Sequence, residues 1–241
     1  MKKFNKILTA LSLGLIGAGL YTPTVDALTS NATVDFTNPT QAPAIVNPDN
    51  PGGEPLENPE TDGEVSGEFG SLTLDYVSNF DFGSHELNRN EQNYFAENQR
   101  TPFAQVTDVR GTGAGWRLVA QFNGFTQDGN ASLQGAEINL TNSELVTTQD
   151  NMNTAPTTSS AGIVLNQNAA DITIAEEGQG KGTWLTTWAD DDNAAAFNQS
   201  VVLSVPAAVA TAGEHTGTIT WTLYNTPTGT DSEPVNQTTQ P

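Results

Sequence analysis

Between Gly70 and Tyr224 the apolar side chains recur at every second residue, and that period is what most confines the chain. Leu72, Leu74 and Tyr76 alternate with Thr73 and Asp75, and Phe80 and Phe82 alternate with Asn79 and Asp81. Trp116, Leu118, Ala120 and Phe122 share one face; Ile138 and Leu140, Ile172 and Ile174, then Val201, Leu203 and Val205 repeat the scheme. In the last run Ile219, Trp221 and Leu223 lie opposite Thr218, Thr220, Thr222 and Tyr224. Side chains on a strand point to alternate faces, whereas a helix needs a period of 3.6, so these runs read as half-buried antiparallel strands. Gly, Asn, Asp and Pro separate them, as turns require. Cysteine is absent, so no disulfide, thiol nucleophile or thiolate zinc site is available and the fold must rest on its core. A domain of about 155 residues buries around two thirds of its unfolded surface, which is enough. The expected fold is an all-β antiparallel sandwich or related barrel, with at most one or two short helices. The helix candidates are Glu86–Asn98, where Leu87, Asn90, Glu91, Tyr94 and Phe95 share a helical face, and Asp192–Phe197.

Four segments follow from composition along the chain. Residues 1–27 have a basic start at Lys2, Lys3 and Lys6, an apolar run from Ile7 to Leu20, and small or β-branched residues at Val25 and Ala27. This is the pattern of a secretory signal peptide; the run is too short for the roughly 20 residues that span a membrane. Residues 28–69 open with the alternating Asn31-Ala32-Thr33-Val34-Asp35-Phe36, a candidate short strand. Pro39, Pro43, Pro48, Pro51, Pro55 and Pro59 follow, with Asp49, Glu54, Glu57, Glu60, Asp62, Glu64 and Glu68 and no basic residue. Such a stretch reads as an extended, solvated spacer. Residues 70–225 form the β domain, and residues 226–241 a polar tail.

Charge then narrows the partners. Once residues 1–27 are removed, five basic residues face twenty-seven acidic ones, a net charge of −22. Nucleic acids and anionic membranes are bound through Lys and Arg, so both are disfavoured as partners.

Two tripeptides carry more identity than strand pattern demands: Trp116-Arg117-Leu118 and Trp221-Thr222-Leu223, both Trp-x-Leu. Together with Leu72-Thr73-Leu74-Asp75-Tyr76-Val77-Ser78-Asn79-Phe80-Asp81-Phe82-Gly83 and Ala32-Thr33-Val34-Asp35-Phe36-Thr37, they make the chain resemble the WxL family of cell-surface proteins of Gram-positive bacteria over nearly its whole length. The resemblance implies a secreted surface protein that binds the cell wall, peptidoglycan in particular, without a covalent link. It also implies companion WxL-cluster surface proteins as possible partners, so an assembly component that never touches glycan is the alternative reading. No Leu-Pro-x-Thr-Gly sortase signal is present, which agrees with non-covalent attachment. Because such walls are anionic through their teichoic acids, affinity has to come from stacking and hydrogen bonds, with or without bridging divalent cations.

Read from the residues alone, the motif side chains Trp116, Leu118, Trp221 and Leu223 belong on the apolar faces of their strands and are assigned to the core. An indole edge reaching a groove stays open as the alternative. Trp184 and Trp188, four apart and followed by Asp190-Asp191-Asp192, are the candidate solvent-facing platform for a wall ligand, the other reading being that they cover the end of the core. No cofactor, metal or catalytic residue is called for: His85 and His215 sit in no nucleophile elbow or His-Glu-x-x-His spacing and read as surface or turn residues, His215 in a hairpin turn. A wall-active hydrolase is the third function class, supported only by the abundance of carboxylates.

Overall fold

The computed structural model describes residues 28–97, 100–159, 161–190 and 197–228. Segment 1–27, read from the sequence as a signal peptide, Asp191 and Asp192 with most of the second helix candidate, and the tail beyond 228 lie outside them. The chain divides into two units, Met1–Phe36 and Thr37–Pro241. In the first unit the described residues 28–36 carry no strand, and Val34 and Phe36 are 76% and 87% exposed. The alternation of Asn31 to Phe36 therefore makes no strand here, because a strand needs a ladder partner to satisfy its backbone.

In the second unit fourteen strands are described. In chain order they are β1 (Gly63–Val65), β2 (Leu72–Ser78), β3 (Gln92–Ala96), β4 (Phe103–Asp108), β5 (Trp116–Gln127), β6 (Asn130–Ser132) and β7 (Glu137–Leu140). β8 (Ser143–Thr147), β9 (Thr157–Thr158), β10 (Ile163–Leu165), β11 (Ala170–Ala175), β12 (Gly182–Trp188), β13 (Asn198–Val205) and β14 (Thr216–Tyr224) follow. One 3-10 turn, Pro59–Thr61, precedes β1. The strands form three open antiparallel sheets, ordered β1-β2-β4-β12-β8, β10-β7-β13-β3 and β14-β5-β11-β9, the last with β6 paired to β5. None closes into a barrel, and the architecture is that of a β-sandwich. Inner faces of all three sheets contribute to one core: Leu72, Leu74 and Val106 from the first, Ile138, Leu140 and Leu203 from the second, Trp116, Leu118 and Ile172 from the third. Full burial of one such side chain contributes about 1.5–3 kcal/mol, which is why the alternation decides the fold.

The helix expected over Glu86–Asn98 does not form. Gln92–Ala96 is instead strand β3, bonded along β13 with Leu203 opposite Tyr94 and Val205 opposite Gln92. Four asparagines, Asn88, Asn90, Asn93 and Asn98, weaken a helix here, and Gln92, Tyr94 and Ala96 also alternate, so pairing with β13 wins. The two short helices allowed for by the sequence reduce to the single turn at Pro59–Thr61 among the described residues.

The spacer reading also stops short of the observed structure. Ile45, with Val46 and Leu56 beside it, packs on the outer face of the first sheet, against Tyr76, Phe103 and Leu185. Gly63–Val65 pairs with Tyr76–Ser78 of β2. Proline and acidic content correctly excluded a helix, but the few apolar residues of the segment suffice once a second apolar face exists to cover. Gln105 fastens the cover: it accepts a hydrogen bond from Val46 N at 2.8 Å and donates to the Ala44 carbonyl at 3.0 Å.

Beneath that cover lies Asp75, a buried carboxylate. The hydroxyl of Thr73, Gln105 Nε2 at 2.9 Å and the hydroxyl of Thr107 at 2.6 Å all donate to it. Burial nevertheless raises its pKa above the ordinary carboxylate value, outweighing the three hydrogen bonds, with Thr107 the strongest of them. A carboxyl raised in the folded state binds its proton more tightly folded than unfolded. Its contribution to stability is therefore complete below the unfolded pKa and is lost as pH rises through the folded value. Asp75→Asn removes that loss. The difference in Tm, variant minus parent, should become more positive as pH rises from about 4 to 8; a difference independent of pH would show that the carboxylate is not held against desolvation.

Candidate functional site: a cleft beside the second motif

The two Trp-x-Leu tripeptides sit on adjacent antiparallel strands, and β14 pairs with β5 so that Leu223 lies opposite Leu118 and Trp221 opposite Ala120. Trp116, Leu118 and Leu223 are buried. The Trp116 indole N–H donates to the Gly180 carbonyl at 2.9 Å. That loop approaches the ring so closely that a Cβ on Gly180 would stand 2.6 Å from Nε1, and the glycine also holds a φ of +70°. The first motif is thus a structural fastening between β5 and the loop before β12.

Arg110 holds both motifs in place, a role that the sequence reading missed. Its guanidinium forms a two-pronged pair with the buried Asp108, at 3.0 and 2.8 Å, and donates to the Gly115 carbonyl just before Trp116. Its remaining nitrogen donates at 2.9 Å to the carbonyl of Asn225, one residue past β14. Arg is suited to this because its planar fork serves several oxygens at once. The only signal in the sequence is an Asp-x-Arg beside a glycine-rich turn, too common to single out.

Trp184 and Trp188 do not form an exposed platform. They are 5% and 0% exposed, and each indole is satisfied internally, Trp184 by the Lys181 carbonyl at 3.0 Å and Trp188 by Ser143 Oγ at 2.9 Å. Both belong to the main core cluster, on the face of β12 that packs with Leu118, Ile138 and Leu203 of the other two sheets, so neither ring has a solvent face. Trp188 is the backing of an aromatic cluster, with Phe80 edge-on at 6.3 Å and Trp221 tilted against it at 6.1 Å.

Trp221 differs from the other three tryptophans. It is only partly buried, packed against the core on one side and lining a cleft of about 1560 Å³ on the other. That cleft is lined by residues of the second and third sheets, with Glu64 of β1 and the end of β2 from the first. Phe122, Ile138 and Leu203 line its interior, Phe80 and Phe82 enter from the loop after β2, and residues 210–215 border it before β14. The segment Asn79 to Gly83 is shaped locally: Asp81 Oδ1 accepts from Gly83 N at 2.9 Å, the Asp81 carbonyl accepts from Glu97 N at 2.7 Å, and Gly83 takes a φ of +70°. This turn aims Phe80 and Phe82 at the cleft.

Both histidines border the same cleft. His85 is exposed, donates through Nε2 to the Phe82 carbonyl and stacks on Tyr94 at 4.1 Å. His215 bonds the Thr211 carbonyl through Nε2 and Ser132 Oγ through Nδ1, both at 2.9 Å. A carbonyl only accepts, so Nε2 carries a proton. The hairpin expected at His215 is instead a crossover, since β13 and β14 belong to different sheets. Among the described residues no group of three or more His, Asp or Glu is placed to hold a metal ion, and no helix is long and apolar enough to cross a membrane.

An all-β domain with an aromatic cleft and carboxylates at its mouth has the general build of a protein with a ligand site. The family model for the WxL domain, described as surface cell wall-binding, matches residues 24–227, and the chain belongs to that family. The family is one of binding domains rather than enzymes, and it places the chain among cell-surface, cell-wall-binding proteins. Comparisons with curated proteins and with solved structures gave no match.

Proposed function

We propose that the chain is exported by its N-terminal segment, loses residues 1–27, and holds peptidoglycan non-covalently in the cleft beside Trp221. The observation that carries this reading is convergence: Phe80 and Phe82 from one family-bearing segment and Trp221 from the other reach the same cleft from opposite ends of the domain's sequence. An aromatic face left partly exposed beside a cavity of this size is a natural seat for a sugar ring or a peptide side chain.

The test is sedimentation of secreted protein, its intact mass beginning at Leu28, with purified Gram-positive walls. Peptidoglycan stripped of teichoic acid and protein should carry the protein down without releasing reducing ends. Walls retaining teichoic acid should bind less at low salt, the gap closing as salt rises, because a −22 chain is repelled by their phosphates and the repulsion is screened over about 8–10 Å at physiological ionic strength. Failure to sediment with stripped peptidoglycan would favour the assembly-component alternative, and release of sugar would favour a hydrolase.

A further inference from the structure

We propose that the cleft takes an extended peptide bearing a primary amine, so that on the wall it is the amine-carrying stem peptide, and neither the glycan strand nor teichoic phosphate, that is recognised. This rests on the wall-binding reading above and narrows it.

Three independent features of the cleft point to that chemistry. The first is charge. Glu64, Asp81, Glu86, Glu97 and Glu214 line it, and no Lys or Arg does. Among the described residues none of the five is ion-paired, and three of the five cations after residue 27 are committed elsewhere: Arg100 to Asp62, Arg110 to Asp108 and Arg117 to Asp171. A phosphate or carboxylate ligand would enter against uncompensated negative charge, whereas an ammonium gains charge-assisted hydrogen bonds.

The second is the strand edge. Among the described residues β14 is the outermost strand of its sheet, hydrogen-bonded only to β5, and Thr216 to Ile219 and Trp221 line the cleft. Among those residues no strand pairs with its other edge, whose backbone N–H and C=O groups have peptide amides as their natural complement. A glycan offers hydroxyls at a different spacing and leaves that row unmatched. The third is the wall itself. Phe80, Phe82 and Trp221 supply aromatic surface for the methylene stem of a lysine-type side chain, with an ammonium favoured near a ring face.

The experiment is calorimetric titration of the mature chain with three probes. They are a synthetic N-acetyl-L-Ala–γ-D-Gln–L-Lys–D-Ala peptide, whose Lys ε-amine is its one primary amine, the same peptide with that ε-amine also acetylated, and the N-acetylglucosamine–N-acetylmuramic acid disaccharide without peptide. The free-amine peptide should bind, weakening with added salt. Acetylation should cut affinity about tenfold, the scale of one charge-assisted hydrogen bond. The double variant Glu97→Gln, Glu214→Gln should lose a similar factor for the free amine and little for the acetylated peptide, with Tm unchanged because both side chains are exposed. Equal affinity for both peptides, tighter binding of the disaccharide, or sedimentation with peptidoglycan but no peptide binding would each overturn the amine assignment while leaving the wall-binding reading standing. Absence of sedimentation with peptidoglycan itself would instead remove the reading on which it rests.

Discussion

In a Trp116→Ala variant the melting transition should fall on the order of 10 °C or be lost, because the substitution empties a ring that is 1% exposed. Removing a buried Trp costs about 3–5 kcal/mol through lost transfer energy and the cavity left behind. The Gly180 carbonyl, which accepts the indole hydrogen bond, is also left without its partner. Wall binding should disappear with the fold and return to the extent that the protein is refolded at low temperature. Trp116→Phe separates the two contributions: it restores most of the ring and leaves only the orphaned carbonyl, a cost of about 1–2 kcal/mol. Thermal melts on both variants decide it, and a stable Trp116→Ala protein that no longer binds walls would move the first motif from scaffold to binding surface.

Trp221→Ala should behave in the opposite sense. The ring is only partly buried and backs onto Trp188, so its removal should cost about 1–2 kcal/mol of stability, an offset-aromatic contact plus part of a side chain's burial. Binding to stripped peptidoglycan should drop about 30-fold, near 2 kcal/mol, the scale of losing an aromatic anchor at a binding centre. Sedimentation isotherms beside thermal melts make the test. Unchanged affinity in a folded Trp221→Ala protein would place the ligand elsewhere on the domain. The two variants together assign different work to two copies of one motif: the first secures β5 to the loop before β12, and the second, one strand over, exposes its indole to the cleft.

That division shows where reading the chain by itself succeeded and where it did not. Alternation located most of the strands, including Ile219 to Tyr224, because a two-residue period is a local property that any sheet must respect. It placed Leu118, Leu223 and Trp116 inside for the same reason. It treated Trp221 like Trp116, since the two have the same local pattern; the difference is that β14 ends its sheet beside an opening while β5 lies between β14 and β11. The error over Trp184 and Trp188 has the same origin. A tryptophan followed by aspartates looks solvent-facing until the other sheets are seen packed over the face of β12 that carries it.

Sequence alone determined the all-β class, the absence of disulfides, the negative charge and the two motif strands, all of which depend on composition or on neighbours within a few residues. Tertiary structure alone decided that Ile45 and Leu56 cover the outer face of the first sheet, that Gln92 to Ala96 is a strand, that Asp75 is buried beneath Gln105, and that Phe80, Phe82 and Trp221 share a cleft. Each of those joins residues that lie far apart along the chain, and burial, the main source of folding free energy, is settled only when distant faces meet.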